Sequence, residues 1–336
     1  MSVSWSELTY VCDPGVGQEI VTLSPALSVT FYVRAPDLPA IAQLYDSVLG
    51  LIGQGLTHYY ADGMKRPELI TERALGMIPT WMRKPRLMHR YAWEANGGSD
   101  LGCAPPGFEL DVMPLPLLTP AQKERSLAHA LNSSGPGELF NYILGSQMRL
   151  VLPVDHPFSE AGAIRAWLLE LALVKSGAVS FATCGYGLSS LAAAFGGETE
   201  RRERALCSRY PGLDCFRSWH AHNMYLVDSA IPDFVPLVKR ASWTMILHKL
   251  TVAYLGGEAK VREQMARTSA IKVTPFEHGL IIQAGERPQL GDLNAGDDLP
   301  LMREVARVVQ PVRVKRPAEN SEFWDHFFNM FDKSSA

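Results

Sequence analysis

The run "ALSVTFYVRA" constrains the fold more than any other stretch of the chain. Leu27, Val29, Phe31 and Val33 point to one side of an extended backbone, and Ser28, Thr30, Tyr32 and Arg34 to the other. That two-residue period is the mark of a half-buried strand. In "APDLP", directly after it, the prolines stop the strand and open a helix, over which Ile41, Leu44, Tyr45, Val48 and Leu49 recur at helical spacing. A strand feeding a helix is therefore the opening unit. With 47% hydrophobic residues among 336, the chain can bury a sizeable core without covalent staples.

Extended and helical signals go on alternating. "LTHYYADG", "LMHRYAWEA" and "GFELDVMPL" read as strands, the last two joined through the turn formers "NGGSD", and "RPELITERALGMIPTWM" reads as a helix that Pro79 ends or bends. Residues 119–131 read as helix, and "NSSGPGE" (132–138) combines turn formers with no apolar anchor, which marks a linker. Beyond it, "MRLVLPV", Pro157 and a helix from Ser159 to Val174 repeat the opening order. "SGAVSFATCGYGLSS" reads as a strand and tight turn, Leu188 to Phe195 and "GGETERRERALCSRY" as helices, and "ASWTMILHKLTVAYLGG" as helix then strand. A helix at Glu258 to Ala266 and strands "AIKVTPFEH" and "GLIIQAGE" follow. The pattern predicts an α+β fold of mixed or antiparallel sheets covered by helices, in two similarly built lobes. These are residues 1–131 and 139–318 around a linker at 132–138, with an aromatic helix and tail at 319–336.

Charge narrows the partners. With 32 basic and 35 acidic residues the net charge is -3, too weak a field to favour nucleic acid or an anionic membrane. The longest apolar stretch, "AIRAWLLELALV", is interrupted by Arg165 and Glu170 and reads as buried helix, not a membrane span. Five cysteines without repeating spacing argue against a disulfide framework, and the first twenty residues lack the basic start and apolar core of a signal peptide. A reducing, cytoplasmic setting is expected.

No motif assembles a catalytic site. "CGYGLSS" lacks the third glycine of a dinucleotide fingerprint and the Gly-Lys-Ser/Thr of a P-loop. Cys184 within it would need a histidine nearby in space to act as a nucleophile. His220 and His222, with Cys207 and Cys215 upstream, are the chemical alternative, a Cys/His-dependent hydrolase or metal enzyme, although the spacing matches no compact zinc site. Neither H-E-x-x-H nor G-x-S-x-G occurs.

The segment "IIQAGERPQLGDLNAGDDLP" (281–300) places Asp292, Asn294 and Gly296 at alternating positions, as a calcium loop would. Counted from Asp292, however, the twelfth residue is Arg303, where a bidentate glutamate is required. What remains is mechanical. Gly285, Gly291 and Gly296 allow a sharp path, Asp297 or Asp298 caps the next helix, Pro300 suits its first turn, and Leu301, Val305, Val308 and Val309 form its apolar stripe.

The stretch "AGERPQLGDLNAGDDLPLMREVARVVQPVR" (284–313) resembles the C-terminal signature of a family of bacterial type VI secretion immunity proteins. In that signature a strand ending in AG-x-x-P-x-x-GD leads into a helix and then Pro-hydrophobic-Arg. "VTFYVRA", "FSEAGAIRAWLLELA" and "RYPGLD" before "WHAHN" are similar in kind and order; Met302 departs from the aromatic residue expected there. The resemblance implies a protein that is not an enzyme, takes no cofactor or metal, and neutralises a cognate secreted antibacterial toxin by direct binding, the toxin being a nuclease of restriction-endonuclease fold. Two sets of residues are candidate partner contacts. Glu286, Asp292, Asp297 and Asp298 could oppose a basic nuclease cleft. In "SEFWDHFFNMF", Phe323, Trp324 and Phe327 form an aromatic stripe that would dock on a partner, on a second copy as a homodimer, or on the chain's own core.

Overall fold

The computed structural model describes residues 4–13, 17, 19–33, 37–85, 91–99, 102–112, 146–190, 197–216, 235–313 and 322–332. Among them eleven strands form one sheet. They are β1 (Tyr10–Cys12), β2 (Ile20–Val33), β3 (His58–Ala61), β4 (Glu68–Leu69), β5 (Tyr91–Asn96), β6 (Gly107–Val112), β7 (Ser146–Leu152), β8 (Val179–Ser189), β9 (Thr244–His248), β10 (Ile271–Phe276) and β11 (Gly279–Ala284). The order is β10-β11-β9-β8-β2-β7-β6-β5-β3-β4, with β1 beside β2, and the pairings are antiparallel. The linker and helix expected at 119–138 lie outside the described residues. Strands from either side of them interleave, since β2 runs between β7 and β8.

The described helices are α1 (Leu38–Ile52), α2 (Glu72–Leu75), α3 (Met77–Arg83), α4 (Ala161–Glu170), α5 (Ala172–Lys175), α6 (Gly197–Arg209), α7 (Lys249–Tyr254), α8 (Glu258–Met265), α9 (Pro300–Val309) and α10 (Glu322–Asn329). Asp37 caps α1 by accepting from the Ala40 amide at 3.0 Å. Between α2 and α3 the break falls at Gly76, and Pro79 is carried inside α3 rather than ending it. The order expected in "ASWTMILHKLTVAYLGG" is reversed. Thr244, Met245, Ile246 and Leu247 are buried in β9, and α7 follows with His248 as its cap.

Strand alternation deals side chains to two hydrophobic cores, one on each face of the sheet. Leu27, Val29 and Phe31 pack with Ile41, Leu44 and Tyr45 of α1 and Ile164 of α4. Tyr32, Phe181 and Leu247 share the other core with Leu206 of α6, Val305 of α9 and Phe327 of α10. Residues 27–33 of β2 are thus buried on both sides, not half-buried as the alternation implied.

The polar side of β2 is buried because Arg149 of β7 crosses it. Its guanidinium, fully enclosed, donates to Ser28 Oγ at 2.8 Å, to the Leu188 carbonyl at 2.8 Å and to Glu109 at 3.2 Å, and lies 4.3 Å over the Phe216 ring. Here the "CGYG" stretch finds its reason. It is neither a tight turn nor an anion cradle but the middle of β8. A Cβ on Gly187 would stand 3.1 Å from Ser28 Cβ and 3.2 Å from the Arg149 guanidinium, so glycine makes room for the arginine. Arg149→Met keeps the bulk but leaves the Glu109 carboxylate without this cation. It should cost about 3 kcal/mol, read as a lower urea midpoint at unchanged slope.

Candidate partner interface

The signature segment joins β11 to α9. Gly291 has φ +65, and a Cβ there would meet Leu299, Pro211 and the Asp297 carbonyl at 2.9 to 3.0 Å. The turn is closed by Asp292 and Asp297, whose backbones exchange bonds of 3.2 and 3.0 Å. Asp292 caps the short 3-10 turn Leu293–Ala295 by accepting from the Asn294 amide. The capping expected for α9 does not occur. Its N-cap is Leu299 at φ 51 with no side-chain cap, while Asp298 pairs with Arg303 at 2.6 Å and Asp297 accepts from the Leu299 amide at 3.5 Å. Pro300 does open the helix, and Met302, Val305, Val308 and Val309 are its buried stripe.

"RYPGLD" packs against this segment. A Cβ on Gly212 would lie 1.9 Å from the Gln289 carbonyl oxygen, and the Gly212 amide donates to the Leu290 carbonyl at 2.8 Å. Arg209, at the end of α6, grips Asp292 through Nη2 at 2.7 Å and Nε at 3.1 Å, reaches toward Glu7 at 3.9 Å, and stacks 4.7 Å over Tyr210. The hydrogen bond from Arg209 holds the Asp292 carboxyl below its usual range.

Behind the strap 210–216 sits a buried ion cluster. Lys239 Nζ donates to Asp214 at 2.6 Å and to the Cys215 carbonyl at 2.8 Å; Arg240 donates to the carbonyls of Pro211 and Leu213 and lies 4.1 Å over the Phe327 ring. Burial pushes the Asp214 carboxyl up, but Lys239, Arg240 and Arg149 together outweigh it and leave the group below its usual range. α10 is seated on these cations, and Arg313 fastens its far end through Asp332 at 2.7 Å.

The candidate contacts divide accordingly. Trp324 and Phe327 are 2% and 0% exposed, with Phe323 partly buried against them at ring distances of 4.7 and 5.7 Å. Arg204 of α6 covers Phe323 and Trp324. The stripe is thus the inward face of α10, with Trp324 and Phe327 packed on the chain's own core, because burying that much aromatic area is the stronger outlet. Of the four carboxylates, Glu286 pairs with Lys272, Asp292 with Arg209 and Asp298 with Arg303. Asp297 is exposed at the closing end of the turn.

A recess that carries three carboxylates and one guanidinium among apolar side chains lies toward the other end of the sheet. Tyr60, Glu94, Glu109, Asp111, Gln147 and Arg149 line an open recess of about 80 Å³, with Phe216 at its side. The register places Tyr60 opposite Glu94, Glu94 opposite Glu109 and Glu109 opposite Arg149. "FELD" carried the signal, with acids at 109 and 111 and apolar residues at 108 and 110, a strand whose outer side is acidic.

Of the residues considered for chemistry, Cys184 is 1% exposed and its thiol is pushed up by burial, the setting of an inert structural thiol. His220 and His222 lie outside the described residues. Among the described residues no group of three or more histidine, cysteine or acidic side chains could hold a metal ion, and no helix is long and apolar enough to cross a membrane.

The charged residues of this scaffold lock its loops and its terminal helix in place. Residues 144–336 match the TsiV family, described as type VI immunity for VRR-NUC, and the chain belongs to this family. The matched span holds β7 to α10, the signature segment and the buried ion cluster. Among solved structures the chain is similar to the type VI secretion system protein PA0821 of Pseudomonas aeruginosa. The two share 14% identity at a TM-score of 0.71, covering 96% of this chain and 87% of that one, which is a likeness of fold. No curated protein matches the chain in sequence.

Two measurements check the site's construction. Gly212→Ala forces two backbone segments apart and should cost about 3 kcal/mol of unfolding free energy. Asp292→Asn tests the Arg209 grip by pH. Because the folded carboxyl titrates below its unfolded value, the pair's contribution is complete at neutral pH and is lost as pH falls below about 4. The substitution should therefore flatten the acid limb of a stability-versus-pH curve and leave its alkaline limb unchanged.

Proposed function

We propose that this chain is the cytoplasmic immunity partner of a VRR-NUC nuclease toxin, binding it directly and blocking it without catalysis of its own. Family membership across 144–336 carries the reading. Electrostatics supports it, since a nuclease must offer a basic surface to a phosphate backbone. The recess, where Glu94, Glu109 and Asp111 outnumber Arg149, and the exposed Asp297 have the complementary sign. Glu286, Asp292 and Asp298, and Glu109 within the recess, contribute less, their charge being answered by cations of the same chain.

A purified cognate VRR-NUC toxin should be silenced by a stoichiometric amount of the chain in a DNA-cleavage assay; cleavage that persists under an excess of folded chain would sink the proposal. Charge reversal locates the contact. Asp111→Lys should slow association by about ten-fold at low salt if the recess meets the toxin. A wild-type rate for it, with slowing by Asp297→Lys, moves the contact to the signature turn.

A further inference from the structure

We propose that Pro275 closes the β10 end of the sheet against extension by a strand of any second chain, a second copy of this chain included. β10 is the terminal strand at this end of the sheet among the described residues. A terminal strand is ordinarily a template for another, because every second residue turns its N–H and C=O outward. Which residues do so here follows from two independent bonds. The Gly285 amide donates to the Ala270 carbonyl at 3.1 Å, and in the register Ile271 opposite Ala284 this makes Lys272, Thr274 and Phe276 the positions bonded to β11. On the far side of β11, the Ala284 amide donates to the Trp243 carbonyl at 2.7 Å, so the even-numbered residues of β11 face β9 and the odd-numbered ones face β10. Both bonds give the same phase. Ile271, Val273 and Pro275 carry the outward groups.

Those three positions are disarmed in turn. The Ile271 amide is already committed to the Thr268 carbonyl at 3.0 Å. Pro275 has no N–H to offer and is exposed. Val273 keeps the one outward amide of the strand, too little to nucleate a ladder. Lys272, exposed and paired with Glu286 across the hairpin, adds a charge that a stacked second sheet would have to desolvate. A proline at any inward position would have cost a bond to β11, so its place in the outward phase gives closure at no loss to the sheet.

The test restores the missing donor in the full chain. Pro275→Thr supplies an outward N–H on a β-branched residue and should raise the self-association constant roughly ten-fold or more over the parent, measured by sedimentation velocity across a concentration series. Adding Val273→Pro to that background should return the parent's value, because it removes the other outward amide. A Pro275→Thr chain with the parent's circular dichroism and the parent's association constant overturns the proposal. So does association that Val273→Pro leaves intact, since it would run through another surface. Should Pro275→Thr fail to fold, Pro275→Ala restores the same N–H with a smaller side chain and is judged by the same two outcomes.

Discussion

Arg149 reaches from β7 across β2 to the Leu188 carbonyl of β8, and each of its contacts dictates a residue type on another element. Ser28 must offer a hydroxyl, Glu109 a carboxylate, Phe216 an aromatic face, and position 187 no side chain. A guanidinium taken out of water needs its donors satisfied and its charge answered, and these partners together do both. With the arginine in place, strands from both ends of the sequence are cross-linked at the sheet's centre. Phe216 is drawn against the recess side of the sheet, which fixes where the strap 210–216 must run.

The strap in turn decides the position of the C-terminal helix. Lys239 and Arg240 bond the carbonyls of Pro211, Leu213 and Cys215, groups that an irregular segment cannot satisfy by itself. Their positive charge then lies under the Phe327 ring, a placement favoured by the ring's electron-rich face. Here cations are used as backbone staples, and α10 is the lid over them. Gly212 lets the strap touch the segment before Gly291, so the two stretches that mark the family in sequence are physically one unit.

Much of this architecture was legible in the sequence where a local period decides it. β2, α1, the hairpin "YAWEAN" to "GFELDV", α8, β10 and β11 follow from two-residue or helical spacing, and Gly285, Gly291 and Gly296 do take the positive φ their turn requires. What escaped was set by distant contacts. "CGYG" reads as a turn because nothing local reveals an arginine from β7 lying over it, and the stripe with Trp324 and Phe327 leaves a partner, a second copy and the chain's own core all open because its cover comes from α6 and residues 235–241. Asp298 suits a helix cap by position, yet Arg303 one turn on takes its carboxylate, a competition that spacing does not rank. The acidic side of "FELD" was present in the alternation, but only the pairing of β5, β6 and β7 assembles it into a recess.

Under the function proposed above, the chain works by binding alone and depends on presenting a fixed shape, since freedom lost on association subtracts from affinity. Buried cation clusters, two-sided cores and loops tied by Arg209 remove that freedom before any partner arrives. The same reasoning bears on which surfaces can be used. Recognition through a sheet edge would read mainly backbone, which every β protein shares, and would invite a second copy as readily as a target. Pro275 turned outward removes that option at the β10 end, and under the function proposed above side chains on a face or a turn are where the sign and spacing of charge can tell one basic surface from another. Under that proposed function, closing that end and charging a recess are two parts of one requirement, to bind one partner tightly while remaining apart from copies of itself.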